Sequence, residues 1–485
     1  MHTREIVIEG GMAALFTATA AKPHAFFLES ALPAGGLGRY SFIGFAPFAV
    51  FRVAAGGATE VRWADGRVER FEGEPLEELR ALHRRLSTEF GQDFRDEPGP
   101  AAKGGLPFAG GAVGFFSYEF GLRFEGVKRT SADDLTVPES EWAFYDGVIA
   151  CDEAEGRIFA ATNRRDQEEA MRVLDRIERE AEAAVAGLKT GDRASSQRVW
   201  PQTDVRANFT PDGYARAVER VKDYIRSGDV YQINLSQRFE TPLPCAPAEL
   251  YQRLRTQSPA PYGCFLNFGN VQVAGVSPER FLRVEGDQVS TRPIKGTRPR
   301  GGQAEEDAKL RAELAASAKD RAELLMIVDL ERNDLGRVCV PGSVRVAGLY
   351  EIEAHPTVWH QVADVSGRLA AGRDVFDCIR AAFPGGSITG APKIRAMQII
   401  DELEPHRRHL YTGAMGYLGF DGRAELNIAI RTITCAGGRA YFHAGGGVVW
   451  DSDPHAEYEE TLTKAKALRA ALEMRGADQP RGVAS

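Results

Sequence analysis

Leu426-Asn427-Ile428-Ala429-Ile430-Arg431, then Ala436-Gly437-Gly438, then the apolar run 440–450, is the stretch that decides the fold. Leu426, Ile428 and Ile430 alternate with Asn427, Ala429 and Arg431, the period of two that turns one side of a strand toward a core. Ala436-Gly437-Gly438 supplies a hairpin turn, so 440–450 is expected to return as a neighbouring antiparallel strand. Further strands are expected at Ala49–Val53, Thr59–Trp63, 111–118, 144–152 and 230–239. Thr210-Pro211 opens a helix, with Thr as N-cap and Pro in the first turn. Tyr214, Val218, Val221 and Ile225 then share one face, and Gly228 ends it. Strands and helices do not alternate regularly, and neither G-x-G-x-x-G after a strand nor a Walker A sequence is present. The fold class is therefore α+β, rather than a doubly wound nucleotide-binding sheet.

The chain has 485 residues, 43% hydrophobic and 26% charged, with a net charge of −8. That is enough apolar material for a large core, and the charge gives no bias toward nucleic acid or anionic membrane. The start of the chain has no signal-peptide pattern, and no long uncharged apolar run follows. Six dispersed cysteines show neither C-x-x-C nor zinc spacing. A cytoplasmic location with reduced structural thiols is expected. Two loop-rich stretches, 95–107 and 190–204, divide the chain. We expect an N-terminal region at 1–200, a catalytic domain at 205–475 and a disordered tail at 476–485.

Three constellations could carry chemistry. The first is acidic: Asp320 and Glu323 on an expected helix 319–330, and Glu457, Glu460 and Lys464 on another, 456–473. Two such faces, if they converge, suit magnesium, which takes one or two carboxylates and leaves positions for substrate oxygens; solvated helix faces are the simpler reading. The second is Arg292-Pro293-Ile294-Lys295-Gly296-Thr297-Arg298-Pro299-Arg300, where Pro and Gly stiffen a turn around one lysine. Arg298 and Arg300, if close, would favour the neutral, nucleophilic amine. The third is Pro384-Gly385-Gly386-Ser387-Ile388-Thr389-Gly390-Ala391-Pro392-Lys393, leading into a helix. With Gly445-Gly446-Gly447 it offers bare backbone to an anion, and Arg431 and Lys464 could add positive charge.

Together these segments resemble the chorismate-binding enzymes, which include anthranilate, aminodeoxychorismate, isochorismate and salicylate synthases. The matching blocks are Ser277-Pro278-Glu279-Arg280-Phe281, the Lys295 loop, Met326-Ile327-Val328-Asp329-Leu330 with Arg332-Asn333-Asp334, the Ser387 to Lys393 loop, and Ala456-Glu457-Tyr458-Glu459-Glu460-Thr461. Leu28-Glu29-Ser30 and Arg39-Tyr40-Ser41 resemble a segment that lines a tryptophan pocket in anthranilate synthases. The resemblance implies two interlocked subdomains, with mostly antiparallel sheets packed as a sandwich and helices outside, like component I of anthranilate synthase.

Within that family, Pro293-Ile294-Lys295-Gly296-Thr297 resembles the aminodeoxychorismate synthases, where anthranilate synthases usually have alanine for the lysine. Gln232 stands near the position of a lysine that activates water in isochorismate and salicylate synthases, and an amide cannot serve as that base. The resemblance implies amination of chorismate at C4, with Lys295 as nucleophile, Glu279 as general acid and His360 near the ring. It also implies Mg²⁺ on Glu323 and Glu460, with Glu457 nearby. Tyr411, Arg431, Gly445 and Gly446 would take the side-arm carboxylate, and Gln232, Gly296, Thr297, Ser387 and Lys464 would complete the substrate pocket. A tryptophan pocket would use Glu29, Ser30, Arg39, Tyr40 and Ser41, although Ser258-Pro259-Ala260-Pro261-Tyr262-Gly263 departs from the usual pocket sequence. No glutaminase nucleophile is visible and the sequence has no room for a fused lyase, so ammonia is expected from a glutamine amidotransferase subunit. The alternatives are component I of anthranilate synthase and a non-catalytic tryptophan-binding relative.

Overall fold

The computed structural model describes residues 1–30, 38–90, 105–190 and 204–473. The loop-rich stretches expected at 95–107 and 190–204 lie mostly outside those residues, as does the tail 476–485. The described residues form two twelve-stranded sheets, each antiparallel from strand to strand. One runs His2–Ile6, Arg157–Thr162, Val148–Asp152, Tyr40–Gly44, Phe26–Glu29, Tyr262–Asn267, Val271–Ser277, Thr432–Ala436, Arg439–Val448, Gln232–Pro242, Arg206–Ala207, with Gly390–Ala391 also on Gln232–Pro242. The other runs Ile294–Pro299, Val358–Arg368, Gln288–Arg292, Arg280–Glu285, Ala424–Ile428, Ala414–Gly419, Gly111–Phe116, Ser140–Tyr145, Ala49–Val53, Thr59–Trp63, Val68–Phe71, with Arg345–Ala354 on Val358–Arg368. Both sheets take strands from before and after residue 204.

The sheets face each other across a shared core. Phe42, Val273 and Cys264 of one sheet meet Val113, Phe115 and Tyr417 of the other. The outer faces are covered by helices. Pro75–Glu89, Ala318–Gly336 and Val375–Ala382 cover one sheet, where Phe116 and Ala363 point out. Gly11–Thr19, Pro247–Gln257 and Pro454–Glu473 cover the other. Pro211–Arg226 begins as its sequence directs, with the Thr210 hydroxyl accepting from Gly213 N–H at 3.1 Å. Tyr214, Val218 and Val221 of that helix are buried.

Three expected strands end earlier than their sequence runs suggest. The run 144–152 is two strands, Ser140–Tyr145 and Val148–Asp152, in different sheets. The chain changes layer at Asp146-Gly147, where a Cβ on Gly147 would lie 2.6 Å from Ile177 and 2.7 Å from the Ala161 carbonyl. The run 426–431 ends at Ile428 and crosses through Ala429, Ile430 and Arg431 to Thr432–Ala436. The run 111–118 stops at Phe116, because Ser117 caps the helix Tyr118–Leu122. The hairpin at Gly437-Gly438 forms as expected, with φ of 54° and 74°.

All six cysteines are free and buried. Among the described residues, no helix is long and apolar enough to cross a membrane.

Candidate active site

The site grows out of two crossovers that lie side by side. Pro278-Glu279 joins Val271–Ser277 to Arg280–Glu285, and 429–431 joins Ala424–Ile428 to Thr432–Ala436. Val276 N–H donates to the Arg431 carbonyl at 3.1 Å. The Ser277 hydroxyl donates to the Ile428 carbonyl at 2.6 Å. At such a change of layer a side chain is released from strand alternation and can point along the seam.

Glu279 is 4% exposed, and its Oε1 has no hydrogen-bond partner among the described residues. Burial pushes its carboxyl up to about 7, against the opposing pull of Ser387 and Lys295. Lys295 donates from Nζ to the Ser387 carbonyl at 3.1 Å. Burial lowers its proton affinity, Lys464 lowers it further, and Glu323 and Glu279 act the other way. The expected direction therefore holds, but the expected cause does not. Arg298 pairs with Asp320 at 3.0 Å and Arg300 with Asp307 at 2.7 Å, so both are neutralised by their own partners. Asp320 is thereby drawn away from the acidic set. Gly296 sits at φ +81°, the left-handed backbone that turns the strand after the lysine.

Two helices bring in the other carboxylates. Glu323 comes from Ala318–Gly336, and burial raises its proton affinity while Lys295 and Lys319 lower it. Glu457 and Glu460 come from Pro454–Glu473. Both press on Gly446, where a Cβ would stand 2.9 Å from Glu457 Oε2 and 3.3 Å from Glu460 Oε1. Glycine here is what lets the carboxylates reach the sheet. Burial raises Glu457. Burial alone would also raise Glu460, but Lys464 at 2.7 Å holds it below the usual carboxylate range. Lys464 also donates to the Gly445 carbonyl at 2.9 Å.

Among the described residues no three His, Cys, Asp or Glu side chains form a ready-made metal cage. Magnesium does not need one, since it takes one or two carboxylates and keeps positions for water and substrate oxygens. The orphaned, buried Glu457 Oε2 beside Glu460 fits a hard cation at that edge.

The remaining expected residues fall around this centre. Gln232 lies against Gly447, with its Oε1 buried and unpartnered. His360 Nδ1 meets the Thr297 hydroxyl at 2.9 Å. Burial, followed by the charge of Arg431, pushes His360 well below its ordinary value, so it is a neutral imidazole. Arg431 has φ +49°, and no described carboxylate pairs with it. Burial alone lowers its proton affinity. A half-buried guanidinium without a described counter-ion, on left-handed backbone, is a receptor for an incoming anion. Tyr411 stacks on His443 at 4.8 Å, in the strand that carries Gly445.

Sequence reasoning overlooked the brace behind this face. Arg408, fully buried, binds Glu404 through two nitrogens at 2.6 and 2.8 Å and donates to the carbonyls of Ile388 at 3.0 Å and Asn234 at 2.6 Å. Glu404 also accepts from Ser236 N–H at 2.8 Å. Its i, i+4 spacing was visible, but such pairs usually lie on surfaces.

A separate cavity of about 260 Å³ is lined by Glu29, Ser30, Arg39 and Tyr40, with Pro261 and Arg280. Ser41 does not line it; its hydroxyl accepts from Ser30 N–H at 3.2 Å and so sits behind the wall. Glu29 is held by Tyr251 at 2.9 Å and by Arg255.

A two-sheet sandwich whose layer crossings hold a buried carboxyl of raised proton affinity and an arginine without a described carboxylate partner, with a lysine amine beside them, is the fold and site of an enzyme for a small carboxylated molecule. The chain belongs to the chorismate-binding enzymes: the family model described as "chorismate binding enzyme" matches residues 39–470. It is 41% identical to aminodeoxychorismate synthase component 1 of Bacillus subtilis, over 93% of this chain and 92% of that one. It is 38% identical to anthranilate synthase component 1 of Streptomyces coelicolor, over 92% of this chain and 83% of that one. Among solved structures, anthranilate synthase component I of Streptococcus pneumoniae superposes with a TM-score of 0.74 at 32% identity, covering 90% of this chain and 92% of that one. The architecture is therefore that of anthranilate synthase component I.

Proposed function

We propose that this enzyme aminates chorismate at C4, giving 4-amino-4-deoxychorismate for p-aminobenzoate and folate synthesis. The observation that carries this reading is Lys295. Its amine lies inside the site against the Ser387 carbonyl, facing both Glu279 and Glu323. An inward amine with lowered proton affinity is a nucleophile, and only the C4-amination reading gives it a task.

Lys295 Nζ attacks C2 of the ring, while Glu279 gives its proton to the C4 hydroxyl, which leaves as water. Ammonia then bonds to C4, and the C2–Nζ bond breaks to free the lysine. One difficult displacement becomes two allylic ones. Glu323 and Glu460, with Glu457 beside them, would hold magnesium. The metal supplies positive charge for the ring carboxylate. Arg431 binds the side-arm carboxylate, with Tyr411 and the bare backbone of Gly445 and Gly446 completing that end. Neutral His360, bonded to the Thr297 hydroxyl, would stand near the ring. Gln232 fills a position where a water-activating base would stand, and it cannot accept a proton near neutral pH.

Ammonia comes from a separate glutamine amidotransferase subunit in this reading, in line with the component 1 name of the Bacillus subtilis relative. The second cavity, with Glu29 and Arg39 in its wall, has the size for an amino acid, and tryptophan is the proposed occupant. The test is to supply chorismate, Mg²⁺ and ammonium and to identify the product by mass and by conversion with added lyase. Aminodeoxychorismate supports the proposal. Release of fluorescent anthranilate with pyruvate overturns it. Full turnover in excess EDTA would remove magnesium from it, and glutamine-driven turnover by this chain alone would remove the partner.

A further inference from the structure

The strand Gln232–Pro242 opens with two side-chain amides, Gln232 and Asn234. Gln232 is 1% exposed and Asn234 7%, yet Gln232 Oε1 and Asn234 Oδ1 each lack a hydrogen-bond partner among the described residues. Buried carbonyl oxygens nearly always have a donor. Two such oxygens together point to a ligand that supplies N–H or O–H groups.

The two amides are neighbours. Being two residues apart, they leave the strand on the same face. Asn234 pairs with Gly447 in the antiparallel register. A Cβ on Gly447 would lie 2.2 Å from Gln232 Nε2 and 3.1 Å from its Cδ. The Gln232 amide therefore fills the side-chain place that Gly447 leaves bare, directly beside Asn234. Further along the same face the polar groups are satisfied: the Ser236 hydroxyl by Glu404 at 2.9 Å and Arg238 by Asp134 at 2.6 Å. On this face the unmet acceptors are thus confined to the first turn of pleat, Gln232 to Asn234.

One loop ties that end of the strand to the reacting groups. The Ser387 carbonyl accepts from Lys295 Nζ at 3.1 Å. Arg408 joins the Ile388 carbonyl, at 3.0 Å, to the Asn234 carbonyl, at 2.6 Å. The Thr389 carbonyl accepts from Asn234 N–H at 2.8 Å. Three successive carbonyls therefore fix Asn234 against the lysine. On the other side, Tyr231 is 72% exposed, so the strand passes from solvent to dry interior in one step at Gln232.

An amide oxygen accepts a hydrogen bond but does not take a proton near neutral pH. The pair therefore suits a nucleophile that reacts without a base. Water needs one; ammonia does not. A carboxylate in this place would favour ammonium, which has no lone pair, whereas a neutral oxygen has no such pull.

We propose that Gln232 and Asn234 form the seat of the attacking ammonia, each side-chain oxygen accepting one N–H so that the nitrogen lone pair is free for C4. This deepens the C4-amination reading and rests on it. The lone pair forms the C4–N bond, the ring double bond shifts, and the C2–Nζ bond breaks with its electron pair going to Nζ. Lysine leaves as a neutral amine, and the new nitrogen keeps its three hydrogens as an ammonium.

The test is steady-state kinetics with ammonium varied at saturating chorismate, then the reverse, with product identified by conversion with added lyase. Asn234→Val and Asn234→Ala both remove the oxygen. They should raise KM for ammonium by roughly tenfold or more and leave KM for chorismate within about twofold of wild type. Asn234→Asp keeps an acceptor oxygen. It should hold KM for ammonium near wild type, with a kcat that falls more steeply at low pH, where the carboxylate keeps the nitrogen as ammonium. An unchanged KM for ammonium in both oxygen-less variants overturns the seat, and the C4-amination reading stands if aminodeoxychorismate is still the product. Equal rises in both KM values, or a rise in Asn234→Asp as large as in Asn234→Val, would make Asn234 structural and overturn the seat. Release of anthranilate by the wild type overturns the C4-amination reading and the proposal with it.

Discussion

Ile428 donates its backbone N–H to the carbonyl of Glu279 at 3.0 Å, at the place where both their strands leave one sheet for the other. That bond ties the crossover holding the acid to the crossover holding Arg431. Because strand alternation is suspended at both, Glu279 and Arg431 project along the seam between the layers. The site is thus a product of the sandwich, made where the chain changes layer.

The burial of Glu279 has a consequence for stability. Its carboxyl is raised to about 7 in the folded protein from an ordinary 4.5. The folded state then binds more protons than the unfolded chain between those values. Its contribution is fully present below 4.5 and is lost as pH rises through about 7. Glu279→Gln should therefore be more stable than wild type at pH 8, by on the order of 2–3 kcal/mol, and equal to it near pH 4. Urea melts at the two pH values check this, and the same variant should lose roughly 10²–10⁴-fold in turnover.

Lys295 should form a covalent adduct with chorismate when ammonia is withheld, and Lys295→Ala should form none and lose most turnover. The adduct requires a neutral amine and a protonated Glu279. Its rate should rise with pH as Lys295, already lowered by burial, loses its proton, and fall as Glu279 ionises above about 7. Intact-protein mass spectrometry across pH gives the profile. A wild-type protein without adduct, together with near-normal product formation by Lys295→Ala, would reduce the lysine to a binding group.

Gly446→Ala should damage the site while sparing the fold. The new methyl would lie 2.9 Å from Glu457 Oε2 and 3.3 Å from Glu460 Oε1, so the carboxylates must swing away. We expect a higher Mg²⁺ requirement and a raised KM for chorismate, with a melting temperature close to wild type. Magnesium titration of the steady-state rate measures the first, and unchanged magnesium dependence would contradict it.

Arg431→Met should separate stability from binding. Without ligand, the half-buried guanidinium has no described carboxylate partner, so removing it relieves part of a desolvation cost and should raise the melting temperature. It also removes a charge-assisted contact to the substrate, worth about 1.5–3 kcal/mol, or roughly 10–100-fold in KM. A lower melting temperature would mean that the arginine is structurally satisfied.

Arg408→Met should behave in the opposite way. It leaves Glu404 buried without its partner, at a cost of about 3–5 kcal/mol. It also frees the carbonyls of Asn234 and Ile388 beside the site. Adding Glu404→Leu should return part of the stability but not the activity, because those two carbonyls remain unbraced. Thermal melts and turnover of the single and double variants test the split.

Much of this protein follows from local pattern. The alternation at 426–428, the Gly437-Gly438 hairpin and the Thr210-Pro211 cap are short-range signals, and each forms as its residues direct. The acidic positions of the helices Ala318–Gly336 and Pro454–Glu473 were equally legible, since helical period places Glu323, Glu457 and Glu460 without tertiary help.

What local pattern could not supply was where the chain changes layer and who neutralises whom. Strand-type residues run through 144–152 and alternation runs through 426–431, yet the chain crosses between sheets within both, because local pattern is blind to which sheet receives the strand. Arg298 and Arg300 stand close to Lys295 in sequence, but Asp320 and Asp307 take their charge, and burial does the work assigned to them. Sequence therefore determined the kinds of element and the chemical groups, which depend on neighbours a few residues away. Tertiary structure alone decided which groups lie dry and unpaired together, since desolvation depends on every element packed around a side chain.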